Sequence, residues 1–275
     1  MKFYTNVQLI GNQFLVRGVE NGKRFESREQ FQPVLYVKSK KETKYKTLGG
    51  DSVEPIRPGS VRDCREFIKK YDEVPGFEIY GNERYIYQYI SEHYPEENLE
   101  FDAKQIKLVT IDIETASEYG FPDVESCSEE ILAITIQDNS TKKIITWGQK
   151  PFRNDRDDVT YHHCPTEKEL LSNFINYWMV DVPDVVTGWN IEFYDIPYIC
   201  KRLDRVLGEK LMKRFSPWGL VSEGEVYING RKNTTFDVGG ITQLDYLALY
   251  KKFTYKAQES YRLDYIAEVE LGQKK

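Results

Sequence analysis

A chain of 275 residues with 40% hydrophobic side chains is long enough for two domains of ordinary size and can bury a core, which excludes wholesale disorder. Its net charge of −6 excludes a simple basic sleeve for nucleic acid, and the whole acidic excess falls after residue 100. No apolar run approaches the ~18 residues of a membrane span and the N-terminus lacks the apolar segment of a signal peptide, so no membrane partner is expected. Acidity leaves a polyanionic substrate open, because a bound cation can mediate. The four cysteines (Cys64, Cys127, Cys164, Cys200) are scattered without a C-x-x-C pair, which predicts reduced thiols in a cytoplasmic protein.

Residues 2–38 read as a β-meander. Phe3–Ile10 and Phe14–Val19 flank Gly11-Asn12, Asn21-Gly22 is a primed-turn dipeptide before Lys23–Arg28, and Val34–Val37 follows Pro33. The five lysines between Lys38 and Lys46 read as a solvated loop, with a phosphate-binding patch as the sharper alternative. Ser60 can cap a helix with Cys64, Phe67, Ile68 and Tyr71 on its apolar face, broken by Pro75-Gly76. Tyr85, Ile86, Tyr89, Ile90 and His93 recur at helical spacing and read as core. The polar stretch Glu96–Asp102 links to a second domain, which divides the chain into 1–101 and 102–275.

Lys107–Thr115 opens that second domain and alternates. Val109, Ile111 and Ile113 fall on one face of a strand, Thr110, Asp112 and Glu114 on the other. The two carboxylates stand with Cα atoms roughly 6.5–7 Å apart on one side. They repel unless something positive lies between them, and hard oxygen donors suit Mg²⁺ or Mn²⁺. A D-x-E at the end of a strand can also be a solvated edge. Ile131–Ile136 and Lys143–Trp147 read as two further antiparallel strands. His162-His163-Cys164 invites a zinc reading, but adjacent residues on an extended chain face opposite ways and no second ligand pair has zinc spacing.

Thr166 opens a helix with Leu170, Leu171, Phe174, Ile175, Trp178 and Met179 as its buried face, and Asp184–Thr187 returns as a strand. The crossover makes part of the sheet parallel. Gly188-Trp189-Asn190-Ile191-Glu192-Phe193-Tyr194-Asp195-Ile196-Pro197 then leads into a helix. Asp195 by itself is equally an N-cap or a ligand. Lys201, Arg202, Arg205, Lys210, Lys213 and Arg214 read as a solvated helix face. Asn229-Gly230 is the strongest hairpin signal in the chain, between Glu225–Ile228 and Arg231–Thr235.

A strand-borne D-I-E followed, after further strands and a helix, by G-W-N-x-x-x-x-D-I-P at a helix start resembles the first two exonuclease motifs of the family B DNA polymerases. Among these the chain is most similar to the enzymes of T-even-type bacteriophages, over its whole length, with Asp245-Tyr246 and Ser260–Ile266 adding to the likeness. The resemblance implies an α/β, ribonuclease-H-like mixed sheet with flanking helices for 102–275. A smaller α+β N-terminal domain of the polymerase type would precede it.

The resemblance also implies proofreading 3′–5′ hydrolysis of single-stranded DNA by two Mg²⁺ or Mn²⁺ ions ~3.5–4 Å apart. Asp112 would bridge both ions, Glu114 complete the first and Asp195 help hold the second. Phe121, Asn190, Arg231 and Lys232 would meet nucleic acid, although a core contact suits Phe121 and a plain surface hairpin suits Arg231 and Lys232 equally well. Implied partners are the 3′ end of single-stranded DNA, primer-template, the downstream polymerase portion, and RNA through the N-terminal domain. The implied location is the cytoplasm of an infected bacterium.

The family's third exonuclease motif, Y-x-x-x-D, has no match. Tyr261 and Asp264 are three apart rather than four, and the polymerase motifs are absent as well. The chain therefore reads as the front end of a replicative polymerase, feeble or inactive in hydrolysis on its own. The competing readings are a non-catalytic nucleic-acid-binding module or half of a split polymerase, and a stand-alone exonuclease. The last needs another carboxylate near the C-terminus, and none fits.

Overall fold

The computed structural model describes residues 2–95, 101–118, 120, 122–228 and 230–273. The chain divides into two compact units, Met1–Gln105 and Ile106–Lys275.

In the first unit β1 (Lys2–Ile10), β2 (Gln13–Glu20) and β3 (Lys23–Gln30) form the antiparallel meander, with Asn21 and Gly22 both at positive φ in the primed turn. β4 (Leu35–Lys38) does not continue it. It lies in a separate sheet with β5 (Tyr45–Lys46), β6 (Ser52–Ile56) and β7 (Ile79–Tyr80), in the order β5-β6-β4-β7. Pro33 has no amide to offer a ladder, and the Val34 amide donates instead to Gln88 Oε1 at 2.9 Å. α1 (Val61–Tyr71) starts at Ser60, whose side chain and that of Asp63 complete a capping box. In α2 (Tyr85–His93) the tyrosine stripe is core: Tyr85 and Tyr89 are buried, and Tyr89 stacks on Phe14.

The second unit is built on a six-stranded mixed sheet. It contains β8 (Leu108–Thr115), β9 (Ile131–Asp138), β10 (Ile144–Gly148), β11 (Val159–His163), α3 (Glu167–Val180), β12 (Val185–Gly188), α4 (Asp195–Leu207), α5 (Glu209–Met212), the hairpin β13 (Val221–Ile228) and β14 (Arg231–Val238), β15 (Thr242–Asp245), α6 (Tyr246–Phe253) and α7 (Leu263–Leu271). The sheet order is β11-β10-β9-β8-β12-β15. β8, β9 and β10 are antiparallel neighbours, whereas β11 runs parallel to β10, and β12 runs parallel to both β8 and β15. α3 and α4 share one core with Val109, Ile111 and Ile113 of β8. Met179, expected in that core, is exposed at the end of α3.

Gly188 permits the close approach of β12 and β8. A Cβ there would lie 2.5 Å from the Ile111 carbonyl oxygen and 2.5 Å from Ile191. Among the described residues no helix is long and apolar enough to cross a membrane.

One member of the basic set on α4, Arg202, is not solvated, and a second, Arg205, is exposed but hydrogen-bonded to the backbone. Arg202 is buried and forms a paired hydrogen bond with Glu167 at the start of α3, and its Nη1 also donates to the Cys127 carbonyl at 2.9 Å. Glu167 in turn accepts from the Ile131 amide at 2.9 Å. Arg205 donates to the carbonyls of Cys127 and Ser126. The two arginines thus bind the loop before β9 to the helical layer, using partners that the local sequence does not reveal. Removing one member of a buried pair leaves an uncompensated charge. Arg202→Ala is expected to cost about 3–5 kcal/mol in urea unfolding, and a loss below about 1 kcal/mol would show that the pair behaves as a surface one.

Candidate active site

The alternation of β8 is realised: Val109, Ile111 and Ile113 are buried while Asp112 and Glu114 face out. β12 pairs with β8 only as far as Thr187 opposite Thr110. Beyond that point the chain turns away through residues 188–194 and comes back as α4. The first residue of α4, Asp195, is buried, and its Oδ1 accepts the Ile113 amide at 3.0 Å. The side chain thus bonds the backbone between Asp112 and Glu114, and Tyr194 occupies the N-cap position. Asp195 is therefore not the cap of α4, and its side chain bonds to β8 instead.

Burial pushes the Asp195 carboxyl up to about 7. Asp112 pushes it the same way, and the Ile113 amide only partly offsets them. A second bond, between the Tyr194 hydroxyl and Thr115 Oγ1 at 3.0 Å, fixes the same junction.

Asp112, Glu114 and Asp195 line one open cleft of about 800 Å³, together with Trp189 and Asn190 from the turn. Asn190 adopts φ +65°, a left-handed conformation that asparagine tolerates better than most residues. The rest of the lining comes from Ile113, Tyr194, Leu247 on α6, and residues 261–264. Trp189 Nε1 donates to the Tyr261 carbonyl at 3.1 Å, and its ring lies against Tyr246 and Tyr250. This ties the turn to the segment before α7.

Of the residues singled out in the sequence, the structure brings Asp112, Glu114, Asp195 and Asn190 together. Arg231 and Lys232 are exposed on the hairpin and are not part of the cleft lining; Lys232 pairs with Glu225 at 2.7 Å. Phe121 lies outside the described residues. Tyr261 and Asp264, set aside on spacing, do line the cleft, as do Trp189 and Tyr194. The aromatic content of the G-W-N segment was the available signal for these last two.

The donors are hard carboxylate oxygens with surplus negative charge, which is the chemistry of a Mg²⁺ or Mn²⁺ site. Among the described residues no three His, Cys, Asp or Glu side chains converge closely enough to hold an ion without movement.

A family model described as DNA polymerase family B, exonuclease domain, matches residues 64–266. The chain is 30% identical to the DNA-directed DNA polymerase of Enterobacteria phage T4, with 98% of this chain and 32% of that protein covered. It is likewise 30% identical to that of Escherichia phage RB69, covering 98% of this chain and 33% of the relative. The DNA polymerase catalytic subunit of human herpesvirus 6B is 27% identical over 60% of this chain and 17% of its own length. The chain spans about a third of the length of the two phage relatives. The mixed sheet with flanking helices is the ribonuclease-H-like fold expected of the matched domain. With three quarters of its length inside that match, the chain belongs to DNA polymerase family B and carries the family's exonuclease domain.

Proposed function

We propose that this chain is the N-terminal part of a replicative DNA-directed DNA polymerase, with residues 102–275 forming its proofreading 3′–5′ exonuclease domain. One observation carries the reading: Asp195 is bonded to the backbone between Asp112 and Glu114, so that the two carboxylates of β8 and a third from 82 residues beyond Ile113 share one cleft. These three would hold the divalent cations, two in the complete site. A bound cation supplies a polarised water and offsets charge on the phosphodiester. The chain's own residues do the rest. Asp195 is fixed by the Ile113 amide, Asn190 and Trp189 offer a polar and a stacking contact to a terminal nucleotide, and Tyr194 closes the turn against β8. Arg231 and Lys232 on the hairpin would meet strand phosphates away from the cleft. The setting is the cytoplasm of an infected bacterium, by analogy with the phage relatives.

A second reading is a nucleic-acid-binding module that does not cut. It is favoured by the lack of three closely convergent ligands among the described residues. The two readings separate in one assay, cleavage of a 5′-labelled single-stranded oligonucleotide in Mg²⁺. The expected result is feeble removal of 3′ nucleotides by the chain alone. Activity should rise when the polymerase sequence following the matched segment in the phage relatives is supplied in trans, and fall at least about a hundredfold in Asp112→Ala/Glu114→Ala. Salt-sensitive binding without cleavage in either mixture would favour the module. Cleavage that survives the double substitution would overturn the site.

The raised pKa of Asp195 gives an independent check. The unfolded carboxyl titrates near 4 and the folded one near 7, so the folded state holds the extra proton in that window and stability falls as pH rises through it. Asp195→Asn keeps an oxygen for the Ile113 amide and has no charge to bury. It is expected to be more stable than the unaltered protein by on the order of 4 kcal/mol at pH 8 and nearly equal to it near pH 4. Urea unfolding at the two pH values measures this, and a difference that does not shrink on acidification would count against it. Millimolar Mg²⁺ should raise the melting temperature of the unaltered protein more than that of the variant at pH 8.

A further inference from the structure

Asp245 is a buried carboxylate outside the set assigned to the site. It ends β15, directly opposite Gly188 in the parallel register with β12. Its Oδ1 accepts the Leu247 amide at 2.8 Å and the Ala248 amide at 3.4 Å, which caps α6. The same oxygen accepts the Asn190 amide at 3.1 Å, and Oδ2 accepts the Glu192 amide at 3.0 Å. One side chain therefore holds two segments more than 50 residues apart in sequence. A helix cap needs only the first pair of bonds; the second pair grips the turn that carries Asn190 at positive φ and ends at Asp195.

Within the turn the Asn190 carbonyl accepts from the amides of Phe193 and Tyr194, and the Ile191 carbonyl accepts from Ile196. The segment from 190 to 196 is thus internally bonded, and a hold on Asn190 and Glu192 is transmitted to Asp195.

We propose that Asp245 is a positioning residue: through the amides of Asn190 and Glu192 it sets the turn that delivers Asp195 to the Ile113 amide and into the cleft. The link to exonuclease chemistry rests on the function proposed above, whereas the positioning itself rests on the hydrogen bonds alone. Asp245 is not among the residues that line the cleft, and its oxygens accept from backbone amides.

The test separates cap from grip. Serine is a good helix cap but too short to reach Asn190 and Glu192 as well. Asp245→Ser is therefore expected to leave Leu247 amide exchange near its original rate, while exchange at Asn190, Glu192 and Ile113 speeds up by about tenfold or more. Asp245→Asn keeps one oxygen and turns an NH₂ toward Glu192, so it should accelerate Glu192 and Ile113 alone; it decides the matter if the serine variant does not fold. An Ile113 amide that exchanges at its original rate in both variants overturns the proposal. So does equal acceleration at Leu247 and Ile113, which would make Asp245 a cap and nothing more. Line broadening of the Ile113 amide by Mn²⁺, weakened in the variants, ties the effect to the metal site. Its absence in the unaltered protein would overturn the metal-site reading by itself, and the exchange rates would still decide the role of Asp245.

Discussion

The hydrogen bond from the Ile113 amide to the Asp195 carboxylate organises this site. β8 is a central strand, but its neighbour β12 stops pairing at Thr187, which leaves the Ile113 amide inside the protein without a strand to bond it. An unmet buried amide costs roughly 1–3 kcal/mol. A carboxylate from the start of α4 meets it. The same bond sets the position of Asp195 against the two acidic side chains that flank Ile113. It does so at an electrostatic cost, visible in the upward push that burial and Asp112 give to the Asp195 pKa. Stability is given up locally to hold like charges close, as is common at functional sites.

The surrounding structure holds the crowded elements in place by hydrogen bonds and ion pairs, although Asp245 adds its own charge to the push on Asp195. On one side Arg202 and Arg205 anchor the 126–128 carbonyls to α4, with Glu167 neutralising Arg202. On the other, Asp245 and the Trp189–Tyr261 bond hold the turn and the segment before α7. The carboxylate-bearing wall of the cleft is therefore built on elements with their own cores and bonds, as a site that must tolerate like-charge crowding requires. The 261–264 segment brings Asp264 into the same lining, although its motif spacing gave no reason to place it there.

Local patterns were legible where local physics decides. The caps at Ser60 and Thr166, the primed turn at Asn21-Gly22, and the alternation of 109–114 follow from residues a few positions apart, and all are present in the fold; Asn229, of the second hairpin signal, lies outside the described residues. The misses share a cause. β11 (VTYHH) and β15 (TQLD) are short and weakly apolar, and they become strands only because a neighbour offers a ladder. β4 joined a different sheet once Gln88 took the Val34 amide. Arg202 looked like a solvated cation because its partner, Glu167, is 35 residues away. Met179 had helical periodicity on its side, but it lies in the last turn of α3, where its neighbour Val180 is exposed as well.

By itself, the sequence determined the chemistry: two carboxylates on one face of a strand, a third at a helix start, and the order in which they occur, which is what makes the likeness to family B polymerases specific. Which of these side chains share a cleft was decided only by tertiary structure. Asp195 is 82 residues from Ile113, and only the parallel placement of β12 beside β8, with its early end, brings one to the other. The role of Asp245 belongs to the same level. A carboxylate before a helix reads as a cap in any sequence, and its second pair of bonds exists because β15 lies next to β12 in register. Hydrophobic pattern and turn chemistry act within a few residues, whereas backbone amides left over by the ends of strands find their partners only after the sheet has formed.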